Sequence, residues 1–209
     1  MADPEKAEPE KAEPDVFQVA DRALARVVAQ ITPEQWGMIL PSSFATRSRP
    51  EPPSLHILVN YHAYDDAWVP AMLAGLTMEA AGSEKFDGDL LGDDPVASFG
   101  AIVEKACAAA AAVTDLDAVA HLSFGDYSVR EYFWQINQFR ALRAHDIARE
   151  IGVAAGLEDE LVQGIWDEVS PHAEEWRAIG VYPAAVAVPE DAPLLQRLLG
   201  LTGRQPDAA

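Results

Sequence analysis

The sequence predicts an all-α protein, and three observations support this fold class. Apolar residues recur at spacings of three and four over four long segments, as they do on one face of a helix. Residue types that cap helices precede these segments, and glycine follows several of them. Alternation typical of a strand is confined to a few residues around His121 to Phe124. Four amphipathic helices with short additional C-terminal helices therefore predict a four-helix bundle.

The first two long helices are predicted from their periodicity and from the residues that flank them. Asp15 stands as an N-cap before apolar residues that recur at helical spacing over 16–31. The second helix follows Ser54 and ends at Gly75, a residue type that commonly terminates helices. A loop rich in Ser, Arg and Pro, residues 41–53, separates the two helices.

The third and fourth long helices have the clearer start signals. Pro95 begins a helix with an alanine-rich interior, and alanine is the strongest helix former. Ser128 and Glu131 form a capping box ahead of the most regular helix, which Gly152 closes. Shorter helical patterns follow at 157–169, at 172–179 and near 191–200.

Charge and cysteine content limit the partners and the cellular compartment that we expect for this protein. The 209 residues hold 34 acidic and 15 basic side chains, so a net charge of −19 opposes binding to nucleic acid or to an anionic membrane surface. No apolar run approaches the roughly 18 residues of a membrane span. Cys107 is the single cysteine, and no signal-peptide pattern stands at the N-terminus. We therefore expect a soluble protein of the reducing cytoplasm.

The first 15 residues differ in composition from the rest of the chain. The segment MADPEKAEPEKAEPD holds six acids, two lysines and three prolines and almost no large apolar side chain. Such a segment cannot offset the entropy lost on ordering. We expect a disordered acidic tail over 1–15 and one domain over 16–209.

Several motifs, in this order, resemble the DinB-like metal-binding superfamily, in particular the branch of mycothiol-dependent maleylpyruvate isomerases of actinobacteria. They are TPEQW (32–36), LVN (58–60), WVPAMLAG (68–75), FDGDLLGDDP (86–95), HLSFGD (121–126), HDIAREIG (145–152), and VAVPEDAP through LLGLTGRQP (186–206). The resemblance implies a four-helix bundle with a divalent metal, such as zinc or nickel, at its centre. One histidine of the second helix, and an acid and a histidine four residues apart on the last long helix, would bind that metal. The metal would assist mycothiol or a small substrate.

The residues at the family's ligand positions do not fit a metal. The first histidine falls on Tyr61, the acid on Phe139 and the second histidine on Arg143. Phenylalanine has no donor atom, arginine is permanently cationic and tyrosine coordinates only when deprotonated. We therefore expect that the inherited metal site is lost and that no metal cofactor is bound.

Neighbouring residues offer an incomplete replacement. His62 and Asp66 lie four apart on one helix, and His145 lies near the lost histidine. Each helical step turns a side chain by about 100°, so these residues would not converge on the inherited position. We interpret His62 with Asp66 as a solvated helical pair and His145 as a polar group at the edge of the bundle.

Two helical faces predict what replaces the metal. Tyr61, Asp65 and Trp68 share one face of the second helix. The matching face of the last long helix carries Gln135, Phe139, Arg143 and Asp146. Tyr61, Asp65, Arg143 and Asp146 are the candidate catalytic residues, and Trp68, Gln135 and Phe139 would line a ligand pocket.

Two interpretations of these faces stay open. Arg143 either forms a structural core pair with a carboxylate, or binds a carbonyl or carboxylate group of a small molecule with Tyr61 as a donor. We expect a small-molecule-binding protein or a metal-independent enzyme, acting on a carbonyl-bearing or polyketide-like metabolite. One alternative is a metal- and mycothiol-dependent isomerase or transferase with displaced ligands. Another is a non-catalytic protein retained for association, for example as a homodimer.

Overall fold

The computed structural model describes residues 12–45 and 50–206 and shows a mostly helical chain. Over these ranges it has eight helices and one antiparallel hairpin. The helices are α1 (Glu13–Val28), α2 (Leu55–Leu73), α3 (Met78–Ala81), α4 (Pro95–Ala111), α5 (Val129–Ile151), α6 (Asp159–Val169), α7 (Ala173–Ala178) and α8 (Leu194–Leu201). The hairpin joins β1 (Val119–Leu122) to β2 (Gly125–Ser128) and lies where the alternating residues were found.

The start of α1 corrects one expectation. Asp15 is not the N-cap; the helix begins at Glu13, and Ala12 is the capping residue. Pro14 lies in the first turn, where its missing N–H costs nothing, and its ring is buried. The folded part thus includes residues 13–15, which the composition had assigned to a disordered tail. The remainder of that predicted tail, residues 1–11, lies outside the described residues.

The capping chemistry of α2 and α5 confirms the predicted starts. The Ser54 hydroxyl accepts a hydrogen bond from the Ile57 amide at 3.3 Å. At α5, Ser128 Oγ accepts from the Glu131 amide at 3.2 Å, while Glu131 Oε2 accepts from the Ser128 amide at 2.8 Å. Gly152 ends α5 with φ +75°, a conformation that glycine adopts without the strain a Cβ would cause.

The four long helices pack around an apolar core. Helix α1 lies against both α4 and α5, and α2 lies against α4. A smaller second core joins α1 and α5 to α6 and α8. Cys107 is fully buried on α4, and burial raises the pKa of its thiol to about 12, so a reactive thiolate is disfavoured.

None of the described helices is both long enough and apolar enough to cross a membrane.

Candidate functional site

Four polar side chains meet in the interior between α1, α2 and α5. Asp21, His62, Asp66 and Arg140 are each no more than 1% exposed, and we call them the Arg140 cluster. The Asp66 carboxylate accepts a hydrogen bond from Arg140 Nε at 3.0 Å and another from Nη2. Asp21 Oδ1 lies 4.0 Å from the same Arg140 Nε. One guanidinium therefore faces two carboxyl groups.

The charge balance of the Arg140 cluster favours one shared proton. Burial raises the pKa of both carboxyls, and the negative charge of Asp66 adds to the rise at Asp21. The pKa of Asp21 rises the further of the two, so its carboxyl is the one that retains a proton. Burial opposes the charge of Arg140, but the neighbouring carboxylates raise its pKa above the ordinary value. The cluster is thus neutral overall with an ionised Arg140–Asp66 pair.

His62 is the remaining member of the cluster. Burial lowers the pKa of the imidazole well below its ordinary value, and the positive charges of Arg143 and Arg140 lower it further. The ring is therefore neutral at pH 7. Neither ring nitrogen has a hydrogen-bond partner among the described residues. The imidazole lies 5.3 Å from the Phe139 ring, centroid to centroid.

The inward face of α2 differs from the predicted one by one residue. Tyr61 was expected to face the bundle centre, but it is 42% exposed, whereas His62 and Asp66 are fully buried rather than solvated. Both predictions are wrong for the same reason. The apolar residues Val59, Ala63 and Val69 are fully buried and set the inward face. His62 and Asp66 lie among them at helical spacing.

A similar correction applies to α5. Arg140, rather than Arg143, is the guanidinium at the centre, with 1% of its side chain exposed against 14% for Arg143. His145 is also buried, so its assignment to the edge of the bundle is wrong. Arg140 and Asp21 are not among the predicted site residues, since a charged residue of an amphipathic helix ordinarily lies on its polar face. The spacing of Asp21 from the buried Phe17 and Leu24 was the available signal.

A second group of residues surrounds Arg143, and we call it the Arg143 site. Its guanidinium carbon lies 5.0 Å from the Phe44 ring centroid and 5.3 Å from that of Phe139. Arg143 Nη1 is 3.6 Å from Asp146 Oδ2. Arg204, from the segment after α8, binds the same carboxylate with both Nε and Nη2 at 2.9 Å. Two guanidiniums therefore share one carboxylate.

The electrostatics of the Arg143 site leave its guanidinium incompletely paired. Burial lowers the pKa of Arg143, the charge of Asp146 opposes the shift, and the charge of Arg204 adds to it. The Nε donor of Arg143 is buried and has no hydrogen-bond partner in the described ranges. Tyr61 is close enough for its hydroxyl to act electrostatically on Arg143. This site brings together Tyr61, Phe139, Arg143 and Asp146 of the predicted residues, and adds Phe44 and Arg204.

The other three predicted residues lie elsewhere. Asp65 is partly buried near Arg140, and burial raises the pKa of its carboxyl to about 6. Trp68 packs edge-on against Phe86, 5.0 Å between ring centroids, and takes no part in the Arg143 site. Gln135 lines a separate surface cavity. The seven candidate residues therefore do not converge on one point.

In the described parts of the chain, the His, Cys, Asp and Glu side chains form no group of three or more with the spacing to hold a metal ion. In the Arg140 cluster, Arg140 lies where a cation would otherwise meet the two carboxyls.

Comparison of the sequence with protein-family models and with curated proteins, and of the fold with solved structures, found no match.

Proposed function

We propose that the Arg143 site binds the carboxylate or carbonyl group of a small metabolite in a cytoplasmic protein, built on a DinB-like four-helix bundle. The observation that carries this proposal is the sharing of the single Asp146 carboxylate by Arg143 and Arg204. The pairing leaves one positive charge uncompensated at this point of a strongly acidic chain. An anionic group of a ligand supplies the missing partner.

The geometry of Arg143 suits recognition of a planar carboxylate. The guanidinium already packs against the Phe44 and Phe139 rings, so the side chain loses little conformational freedom when a ligand binds. The buried Nε has no acceptor in the described ranges, and a carboxylate presents two acceptor oxygens to the fork of a guanidinium. A ligand carboxylate would thus give the Nε donor of Arg143 a charge-assisted hydrogen bond. This would remove the cost of leaving that donor buried and unpaired.

Access to the site comes from the side of Tyr61. Arg143 keeps 14% of its side chain exposed, and Tyr61 is 42% exposed. The Tyr61 hydroxyl can donate a hydrogen bond to a ligand oxygen while Arg143 supplies the charge. For a carbonyl ligand, the same two groups favour negative charge on its oxygen, which is the role a metal has in the resembled family.

Titration with small carboxylates tests the proposal. Benzoate and pyruvate, with benzamide as the uncharged counterpart of benzoate, are added to the protein and binding is followed by NMR of the backbone amides. Binding of a carboxylate is expected to weaken at least tenfold in Arg143→Gln, and Arg143→Lys is expected to restore only part of it because the fork is lost. Arg22→Gln is the control, since Arg22 pairs with Glu104 on the surface. Equal binding by wild type and Arg143→Gln would refute the proposal.

A further inference from the structure

Two cavities adjoin each other on the side of the molecule formed by α5, α6 and α7. The smaller, about 430 Å³, lies against Gln135, Gln138 and Trp176, and the larger, about 1070 Å³, lies against Gln163 and Gly164. Trp134 and His172 line both cavities, and their rings lie against each other at an angle of 32°, with centroids 4.9 Å apart. We call the two cavities together the acidic groove.

Acidic side chains outnumber basic ones on the walls of the acidic groove. The larger cavity is lined by five acids and the smaller by two, namely Glu13, Asp159, Glu160, Asp167, Glu168, Glu131 and Glu175. Arg130 is the one Lys or Arg among the described residues of either lining, and it pairs with Glu13. The groove therefore carries a negative potential that attracts cations.

Glu168 gives the groove a specific acceptor. It is 8% exposed, and its Oε1 accepts a hydrogen bond from Asn137 Nδ2 at 2.8 Å. Its other oxygen, Oε2, is buried and has no partner in the described parts of the chain. Burial raises the pKa of this carboxyl to about 8, although the Asn137 hydrogen bond opposes the rise. A cationic N–H donor at Oε2 would satisfy the oxygen and stabilise the ionised form.

We propose that the acidic groove binds an aliphatic polyamine, with one ammonium group at Glu168 Oε2 and the hydrocarbon chain against Trp134 and His172. Separated carboxylates match the separated ammonium groups of such a ligand, and an indole face attracts a cation. An inorganic divalent cation suits the groove less well. It needs several converging oxygens, and no group of three or more acids among the described residues is spaced to hold a metal. The groove is a second site, distinct from the Arg143 site.

Calorimetric titration with spermidine at pH 7 tests the assignment. Glu168→Gln keeps the size of the side chain and is expected to weaken binding at least tenfold. Asp167→Asn changes an exposed acid of the same groove and is expected to weaken binding by a smaller factor. Glu84→Gln is the matched control, since it removes the same charge from an exposed position outside the groove and is expected to change affinity less than twofold.

Proton release separates binding at Glu168 from attraction by net charge. Because the pKa of Glu168 lies near 8, its carboxyl is largely protonated at pH 7, and an ammonium at Oε2 should expel the proton. Titrations in two buffers of different ionisation enthalpy are expected to show this proton for wild type and not for Glu168→Gln. Equal weakening by Glu84→Gln and Glu168→Gln would overturn the proposal. So would Mg²⁺ binding that matches spermidine and is lost in Glu168→Gln, or tight binding of a lysine-rich peptide without binding of spermidine.

Discussion

Arg140 of α5 and Asp66 of α2 form an ion pair in the interior, with Arg140 Nε 3.0 Å from Asp66 Oδ1 and both side chains almost fully buried. Removing two charges from water costs several kcal/mol for each ion, and the pair repays this cost only while both partners are present. The second carboxyl, Asp21, shares the same guanidinium at 4.0 Å. Arg140 of α5 is thus paired with a carboxyl group of α1 and with another of α2.

Arg140→Met should therefore destabilise the protein by about 3–5 kcal/mol, because it leaves Asp66 buried without its partner. The double variant Arg140→Met with Asp66→Asn should recover much of this loss, since no uncompensated charge remains. Urea unfolding of the two single variants and the double variant measures the coupling. Arg22→Met, which breaks the exposed pair with Glu104, serves as the control and should cost no more than about 1 kcal/mol. Additive effects at Arg140 and Asp66 would contradict the pairing.

Arg143 and Arg204 should contribute unequally to the stability of the protein, although both pair with Asp146. Arg204 binds the carboxylate with two hydrogen bonds of 2.9 Å, whereas Arg143 only approaches to 3.6 Å. Arg143→Met keeps Asp146 paired and is expected to cost no more than about 1 kcal/mol, while Arg204→Met is expected to cost about 1.5–3 kcal/mol. Thermal or urea unfolding of both variants gives the order. A larger loss for Arg143→Met would make Arg143 a structural partner rather than a ligand-binding group.

The ends of the long helices could be predicted because their causes are local. The capping box of Ser128 and Glu131 lies within four residues of sequence, and Gly152 ends the same helix through its own backbone conformation. The start of α1 was less clear from sequence. Asp15 resembles an N-cap, but Pro14 fits the first turn of a helix equally well, and contacts with α5 order the residues before Asp15.

The candidate site was harder to predict because it depends on which face of each helix turns inward. Neighbouring residues on a helix differ in direction by about 100°, so Tyr61, the residue chosen by the motif resemblance, is exposed while the next residue, His62, is buried. The apolar spacing of Val59, Ala63 and Val69 agrees with an inward His62 rather than an inward Tyr61. The Arg204–Asp146 pair joins residues 58 apart, and no spacing rule on a single helix predicts such a contact.

Truncation tests where the folded part begins. The Asn137 side chain donates to the Glu13 carbonyl at 3.0 Å, Arg130 pairs with the Glu13 carboxylate, and Pro14 is buried. A chain that starts at Ala12 keeps these contacts, whereas a chain that starts at Asp15 loses them. We expect the shorter chain to be less stable by about 1–2 kcal/mol, seen as a lower melting temperature. Equal melting temperatures would show that α1 needs no residue before Asp15.

Glu168 should make stability fall as pH rises. Burial raises the pKa of its carboxyl to about 8 in the folded protein, whereas an exposed glutamate in the unfolded chain titrates near 4.3. Between these values the folded state holds a proton that the unfolded state has released, so the free energy of unfolding decreases as pH rises. The stability contributed by the protonated Glu168 carboxyl is fully present below about pH 4.3 and is lost as pH rises through about 8.

Urea unfolding at pH 5.5 and pH 8.5 measures the effect, which we expect to be on the order of 3 kcal/mol for Glu168. Since the net charge of −19 also weakens the folded state as acids ionise, the comparison must be made between variants. Glu168→Gln should reduce the pH dependence and be more stable than wild type at pH 8.5. Glu84→Gln removes the same charge from an exposed position and should leave the slope nearly unchanged. If the two variants show the same slope, the carboxyl of Glu168 titrates like an exposed acid and its burial is not maintained in solution.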